Sequence, residues 1–284
     1  MFRWMQRVQR TAGTDKPLLS LRRALLVVCL PLLAVVAGCT TAALGPDAAT
    51  VAALAPTGEL RVGVYPGSPT SLVKVGEKGA PAGVTHDLGG ALAKQLGVPM
   101  RLVQYARVAQ VIEALKAGEV DFTFTNASES RAKEVDFTPT LLRLELGYLV
   151  LPGSPIKALA DVDQPGRRIG VSQGSTSQGV LSRQYRQAVL VPAASLEVAK
   201  EMLRAGAIDA FATNKGILFE LSDDMPNSRV LEGHWGYEAL AIAFPKGRNA
   251  AQAYLTRFGQ EAAQSGQLQS MVKRAGLRGS ARSE

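Results

Sequence analysis

Apolar positions along the chain predict helices and strands in alternation from residue 60 onward. Val108, Val111, Ile112 and Leu115 recur at the i, i+3, i+4, i+7 spacing of one helix face, and Gly118 ends that pattern. Short apolar runs between such segments are typical of buried strands. The predicted strands cover 60–64, 100–105, 120–125, 167–171, 188–192, 208–214 and 237–247, and the predicted helical segments cover 85–97, 108–118, 172–185, 195–206, 215–224 and 251–276.

One twelve-residue phrase occurs twice, as LKAGEVDFTFTN at 115–126 and as LRAGAIDAFATN at 203–214. Each copy ends a predicted helix at Gly, enters a predicted strand and finishes on Thr-Asn. Any helix that stops at Gly before a buried strand would share part of this pattern. Because both copies hold the same place in two successive series of elements, we interpret them as parts of two similar α/β lobes. Their strand ends are expected to face a common cleft.

The first 39 residues have the layout of an export signal. Six basic residues precede an apolar run at 24–38, which is shorter than the roughly 20 residues of a bilayer span. VAGC at 36–39 resembles the lipobox of bacterial lipoproteins, in which the Cys becomes the lipidated first residue. We therefore expect a lipoprotein signal peptide at 1–38 and a periplasmic or other extracytoplasmic protein anchored in a membrane through Cys39. An ordinary signal peptide or an uncleaved anchor is the alternative.

Composition adds three constraints. Residues 39–57 are small and Ala-rich, which predicts a flexible tether. Removing 1–38, which holds six basic residues and one acidic residue, lowers the net charge from +8 to +3, and no basic stripe with aromatic residues suggests a nucleic-acid partner. The two cysteines are Cys29 and Cys39, so the processed chain would keep one and form no internal disulfide.

Five segments, in order, resemble the solute-binding protein family 3 of bacterial ABC transporters, the amino-acid-binding type. The resemblance covers about 58–275. It is carried by GVTHDLGGALAKQLG at 83–97, ALKAGEVDF at 114–122, SESRAKEVDFTPT at 128–140, GVSQGSTS at 170–177 and LAIAFPKG at 240–247.

The resemblance implies the fold of periplasmic binding protein type 2. In that fold two similar α/β lobes with mainly parallel sheets are joined by two crossover strands and close on a small solute by hinge motion. We expect one lobe at 58–149 and 238–284 and the other at 150–237. The implied partners are a small carboxylate-bearing solute, such as an amino acid or a related compound, and an ABC permease with its ATPase. We expect a monomer.

The resemblance also implies a set of ligand-binding residues. Arg131 matches the family arginine that grips the α-carboxylate of the ligand, for which a planar guanidinium is suited. Ser175 and Thr176 follow a predicted strand and begin a helix, where exposed amides and hydroxyls favour an anion. The complete set of candidates is Arg131, Ser128, Asn126, Ser175, Thr176, Asn214, Thr213, Tyr65, Ser68 and Tyr105.

Asn214 departs from the family pattern. It matches an aspartate that pairs with the α-ammonium group of an amino acid, and an amide brings no negative charge. Without another carboxylate the pocket would favour a neutral-headed or anionic solute over a zwitterion. Glu129 or Glu238 are the alternatives that would supply the missing charge.

Two other functions compete with transport. One is an enzyme on the same fold, similar to cyclohexadienyl dehydratase, and the other is a ligand-sensing lipoprotein. The chain has only His86 and His234 as histidines and shows no cluster of metal-ligating residue types. Because general acid–base catalysis needs titratable groups in the cleft, we predict no catalytic residues, no cofactor and no metal.

Overall fold

Helices and strands alternate in the structure in the order that the apolar pattern predicts. The computed structural model describes residues 45–75 and 79–281. The first series of elements is α1 (Ala48–Leu54), β1 (Leu60–Val64), β2 (Val73–Val75), β3 (Ala80–Ala82), α2 (Val84–Leu96), β4 (Met100–Gln104), α3 (Val108–Ala117), β5 (Thr123–Asn126), α4 (Glu129–Ala132), β6 (Val135–Phe137) and β7 (Leu142–Val150).

The second series begins after a short 3₁₀ turn at Leu159–Asp161. Its elements are β8 (Arg168–Ser172), α5 (Thr176–Gln184), β9 (Val189–Ala193), α6 (Leu196–Arg204), β10 (Ala210–Asn214), α7 (Lys215–Asp223), β11 (Arg229–Val230) and β12 (Gly236–Pro245), followed by α8 (Asn249–Gln264) and α9 (Gln267–Arg274).

Strands β7 and β12 are the two crossovers between the lobes. They pair with each other in antiparallel fashion and lie inside one sheet of order β5-β12-β7-β10-β8-β9. Away from the crossovers β1 pairs in parallel with β4, and β8 pairs in parallel with both β9 and β10. The crossovers themselves pair in antiparallel fashion with strands of the lobes, β12 with β5 and β7 with β10. The small β2–β3 pair is antiparallel. The fold is thus two α/β lobes joined by two crossover strands, as predicted.

Separate groups of buried side chains fill the lobes. In the first lobe, Leu60 and Phe122 pack with Phe258 of α8 and Met271 of α9. The second lobe has a buried group around Val171, and a further group joins the two lobes by packing Val111 with Leu196 and Phe211. The C-terminal helices therefore cover the first lobe, although they come after the second lobe in sequence. The lobe boundaries at 58–149, 150–237 and 238–284 stay a prediction.

The repeated phrase builds the same local structure twice. The helix in each copy ends near a glycine in the left-handed region, Gly118 with φ 71° and Gly206 with φ 64°. The Asp three residues later binds the first strand of its own lobe. Asp121 accepts hydrogen bonds from the backbone and guanidinium of Arg61, and Asp209 accepts the equivalent bonds from Arg168. Each Asp thus ties the start of a later strand, β5 or β10, to the first strand of its lobe, β1 or β8.

The N-terminal prediction is wrong for part of the tether. Residues 48–54, which lie inside the predicted tether at 39–57, form helix α1, capped by Asp47 through a bond from the amide of Thr50. Leu54 is fully buried in the core of the first lobe, and this burial favours the folded segment over a flexible one. Cys39 and the signal peptide at 1–38 lie outside the described residues. Within the described ranges, no helix combines the length and apolar character that crossing a membrane requires.

Candidate solute-binding site

A cavity of about 30 Å³ lies where the strand ends of both lobes meet the crossover β12. A space of this size has room for only a few water molecules. Its lining from the first lobe is Tyr65, Thr70, Arg107, Val108, Thr125 and Arg131. Its lining from the second lobe is Ser172, Ser175, Thr176, Leu196, Thr213, Asn214 and Ile217, and β12 adds Glu238 and Leu240.

Arg131 is the buried cation of this cavity. Two hydrogen bonds fix its side chain, because one guanidinium nitrogen donates to Thr125 Oγ1 at 3.1 Å and to the carbonyl of Asn126 at 3.3 Å. Burial lowers the pKa of Arg131, and Glu238 opposes that shift. A guanidinium keeps its charge under such a shift because its ordinary pKa lies far above physiological pH. The fixed cation therefore presents its remaining donors to the cavity.

Glu238 is the half-buried carboxyl group that faces it. Its Oε2 accepts a hydrogen bond of 3.0 Å from the Nδ2 of Asn214. Burial raises the pKa of Glu238, while Arg131 and the bond from Asn214 lower it. Among the described residues, Arg131 forms no ion pair, so these two charges line one cavity without contacting each other. A solute with both an anionic and a cationic group would satisfy both.

A turn from the second lobe adds polar groups to the cavity. Ser175 caps α5 by accepting from the amide of Gln178, and Thr176 begins that helix. The turn needs Gly174, whose φ is +70° and whose added Cβ would lie 2.8 Å from the Cβ of Ala109. Helix α3 of the first lobe thus packs closely on this turn of the second.

The cavity also has an apolar side. Tyr65, Val108, Leu196, Ile217 and Leu240 line it, and Tyr65 is almost fully buried. Burial raises the pKa of Tyr65, so its hydroxyl stays neutral at physiological pH. Apolar walls around a few fixed charges are typical of sites that bind small solutes.

A more open pocket of about 470 Å³ shares Arg131, Ser175 and Thr176 with the cavity. We call this pocket the vestibule. It is lined further by Ser128, Glu129, Ser130, Lys133, Gly174, Gly179, Val180 and Arg183. Because the two pockets share three residues, the vestibule adjoins the cavity.

Six of the ten candidates from the sequence line the cavity, and the structure does not bring the other four to it. The six are Tyr65, Arg131, Ser175, Thr176, Thr213 and Asn214. Of the other four, Ser128 caps α4 and lines the vestibule. The side chain of Asn126 accepts from the amide of Ala239, and the Ser68 hydroxyl bonds to Thr70. Tyr105 donates to Glu119 and lines a different pocket.

Glu238 is the carboxylate that brings negative charge to the cavity. Glu129, the other carboxylate considered from sequence, is exposed at the vestibule with its side chain 94% accessible. The sequence signal for Glu238 was weak, because it lies just before the motif at 240–247 and no motif position assigns it a role. Thr70, Arg107 and Ser172 had no sequence signal at all. Among the described residues, no group of three or more His, Cys, Asp or Glu is placed to hold a metal ion.

This fold and site define a protein that binds a small solute between two lobes. The chain belongs to the bacterial extracellular solute-binding proteins, family 3, whose family model matches residues 60–276.

Similar proteins are known by sequence and by structure. The ABC transporter glutamine-binding protein GlnH of Bacillus subtilis is 25% identical over 205 residues, which cover 71% of this chain and 75% of that protein. The amino-acid ABC transporter substrate-binding protein AbpA of Streptococcus pneumoniae, solved with L-arginine, superposes with a TM-score of 0.71 at 19% identity, over 78% of this chain and 96% of that one. The ancestral amino-acid-binding protein AncCDT-1, a precursor of cyclohexadienyl dehydratase, gives 0.68 at 22% identity, over 79% and 98%. At these identities the structures support the fold alone.

Proposed function

We propose that this protein captures an α-amino acid between its lobes and delivers it to an ABC importer. The observation that carries the proposal is that Arg131 and Glu238, which are oppositely charged, line the same cavity and form no ion pair with each other. An α-amino acid offers a carboxylate to the first and an ammonium group to the second. The name of the Bacillus subtilis relative, a glutamine-binding protein of an ABC transporter, supports the same class of solute.

Energetics favour a zwitterion over an ion with one charge. A buried charge without a partner is costly, and a hydrogen bond between charged groups contributes about 1.5–3 kcal/mol. A simple carboxylate would satisfy Arg131 and leave the half-buried Glu238 without a cationic partner. An α-amino acid satisfies both groups, and the hydroxyls of Thr125 and Ser175 remain available to the carboxylate.

The main test is the affinity of Arg131→Gln for the tightest-binding standard L-amino acid. Loss of the charged donor should weaken binding roughly tenfold to a few hundredfold, since each 1.4 kcal/mol is tenfold. Arg257→Gln, which removes the same charge from a side chain that is 55% exposed on α8, is the matched control and should bind as wild type does. Thermal unfolding of both variants checks the fold. If none of the standard amino acids binds the wild-type protein in titration calorimetry, the proposal is wrong.

Binding requires the lobes to separate, because a cavity of about 30 Å³ has room for only a few water molecules and cannot hold an amino acid until it widens. Motion at the two crossovers, near 147–151 and 237–244, would open it. Small-angle scattering should report a smaller radius of gyration at saturating solute than in its absence. An unchanged radius would count against hinge closure.

We place the protein outside the cytoplasm, anchored through a lipidated Cys39. The apolar run at 24–38 and the VAGC lipobox support this location, as does a family described as extracellular. Cys39→Ser should release the protein from the membrane fraction, and retention of that variant would contradict the anchor.

Glu238 favours one alternative, catalysis on a cyclic acid. A half-buried carboxyl group with a raised pKa is suited to donate a proton to a leaving group. Incubation of the protein with cyclohexadienyl acids, with product analysis afterwards, separates the two functions. Turnover that Glu238→Gln abolishes would establish an enzyme, and its absence would leave binding as the function.

A further inference from the structure

Arg107 is a second arginine that lines the cavity, and the proposed contacts of the zwitterion do not involve it. It is the N-cap residue of α3 and its side chain lines the cavity beside Val108. Its Nε is buried and, among the residues that the structure describes, has no hydrogen-bond partner. A buried donor without a partner costs free energy in the absence of a solute, and a solute acceptor would relieve that cost.

Thr176 provides a second unsatisfied atom from the opposite lobe. Its Oγ1 is buried, lines the same cavity and also lacks a partner among the described residues. The close approach of α3 to the turn at Gly174 brings the elements that carry both side chains together. Two unsatisfied polar groups on facing elements are typical of a preformed subsite that binds a hydrogen-bond acceptor of the ligand.

The balance of charges points to the sign of that acceptor. The cavity contains the cations Arg107 and Arg131 and one anion, Glu238. An α-amino acid neutralises Arg131 and Glu238 through its head group, and the positive charge of Arg107 remains. The vestibule adds Lys133 and Arg183 against Glu129, so the entrance also favours an anion.

We infer that Arg107 and Thr176 form a second anion-binding subsite, which selects an amino acid with an acidic side chain. The head group binds between Arg131 and Glu238, and the side-chain carboxylate accepts from the Arg107 guanidinium and the Thr176 hydroxyl. The inference rests on the proposed function and adds the class of side chain to it. A planar guanidinium suits a carboxylate better than an amide, because the bond is then charge-assisted on both sides.

The test compares each acidic amino acid with its amide, which has nearly the same shape. L-glutamate and L-glutamine, and L-aspartate and L-asparagine, are titrated calorimetrically into the wild-type protein and into Arg107→Gln. The wild-type protein should bind the acid of at least one pair tenfold or more tightly than the amide. Arg107→Gln should weaken the binding of that acid roughly tenfold to a hundredfold and should change the affinity for the amide less than threefold. Arg107→Lys, which keeps the charge, should retain part of the preference.

Two variants serve as controls. Arg257→Gln removes the same charge from the surface of α8 and should leave the acid-to-amide ratio unchanged. Thr176→Val keeps the shape of the side chain without its hydroxyl, and should lower the affinity for the acid about threefold to tenfold. It also tests the subsite should Arg107→Gln fail to fold.

Three outcomes would overturn the inference. One is an amide that binds the wild-type protein as tightly as its acid. Another is an equal loss of affinity for the acid and for the amide in Arg107→Gln, which would mean that Arg107 only holds the lobes together. In both cases binding that depends on Arg131 would leave the proposed function standing. The third is no binding of any amino acid, which removes the proposed function together with the inference.

Discussion

Asn126 and Asn214 close the two copies of the repeated phrase, and their side chains bind different partners. Asn126 uses its Oδ1 to accept from the amide of Ala239, within the crossover β12. Asn214 accepts from the amide of Ile217, capping α7, and donates to Glu238 through its Nδ2. The first asparagine therefore supports the backbone of the hinge, whereas the second orients a charge in the cavity.

The difference comes from the position of the next helix after each strand. Helix α7 begins directly after Asn214, so this residue caps it and its amide group reaches the cavity. Two residues separate Asn126 from α4, and Ser128 caps that helix instead. The Thr-Asn pair thus has different roles in the two copies, because the next helix starts at a different number of residues after the asparagine. Local sequence similarity indicates a shared fold better than it indicates a shared site.

The largest contrast between the copies should be in stability. Asp121 is fully buried and bonds to both Arg61 and Arg248, whereas the side chain of Asp209 is 16% exposed and bonds to Arg168. Asp121→Asn leaves two cations near a buried site and should lower the free energy of unfolding by about 3–5 kcal/mol. Asp209→Asn should lower it by about 1 kcal/mol. Urea denaturation measures both, and equal losses would show that the two anchors are equivalent.

The next effect concerns the charge that Asn214 orients. Glu238→Gln keeps the shape of the side chain and an acceptor for Asn214 but removes the partner of the ammonium group. Affinity for the amino acid should fall roughly tenfold to a few hundredfold. Glu261→Gln, at a side chain that is 54% exposed on α8, is the matched control and should bind normally. Wild-type affinity in Glu238→Gln would remove Glu238 from the binding site.

The same carboxyl should make binding depend on pH. Burial raises the pKa of Glu238 above its ordinary value of 4.5. The ionised form binds the ammonium group, so affinity is fully present above the raised pKa and is lost as the pH falls through it. We therefore expect calorimetric affinity to decline at a pH above the usual range of a carboxyl group. In Glu238→Gln this decline should disappear, and a decline that persists would assign it to another group.

Substituting the two asparagines should give the smallest changes, and should affect stability in both variants but affinity in only one. Asn214→Ala removes the cap of α7, which costs about 1 kcal/mol of stability, and also the donor to Glu238, which should weaken binding about threefold to tenfold. Asn126→Ala leaves the amide of Ala239 unpaired and should cost about 1–2 kcal/mol of stability with affinity within about twofold of wild type. An equal loss of affinity in both variants would contradict the division of roles.

Periodicity predicted most of the fold, because alternating helices and strands leave a strong local signal. It placed the helix ends at Gly118 and Gly206, and family motifs pointed to Arg131 and to the turn at Ser175. Helix α1 was missed since its Ala-rich composition resembles a tether, and the core contact of Leu54 depends on a helix that lies about 200 residues further along the chain.

Residues that reach the cavity from outside the motifs were harder to predict. Glu238 comes from a crossover strand, and Arg107 precedes a helix whose periodicity describes only its buried face. Neither position has a local pattern that distinguishes it from a solvated charge. Their roles depend on long-range packing, which brings β12 and α3 to the same space as Arg131.

Calorimetric titration with three related compounds tests most directly whether the cavity binds a zwitterion. The compounds are the tightest-binding L-amino acid, its deaminated acid and its decarboxylated amine. Because Arg131 and Glu238 each need a partner of opposite charge, we predict that both analogues bind at least about tenfold more weakly than the amino acid. A deaminated acid that binds as tightly as the amino acid would show that Glu238 holds no ammonium group, and would contradict zwitterion binding.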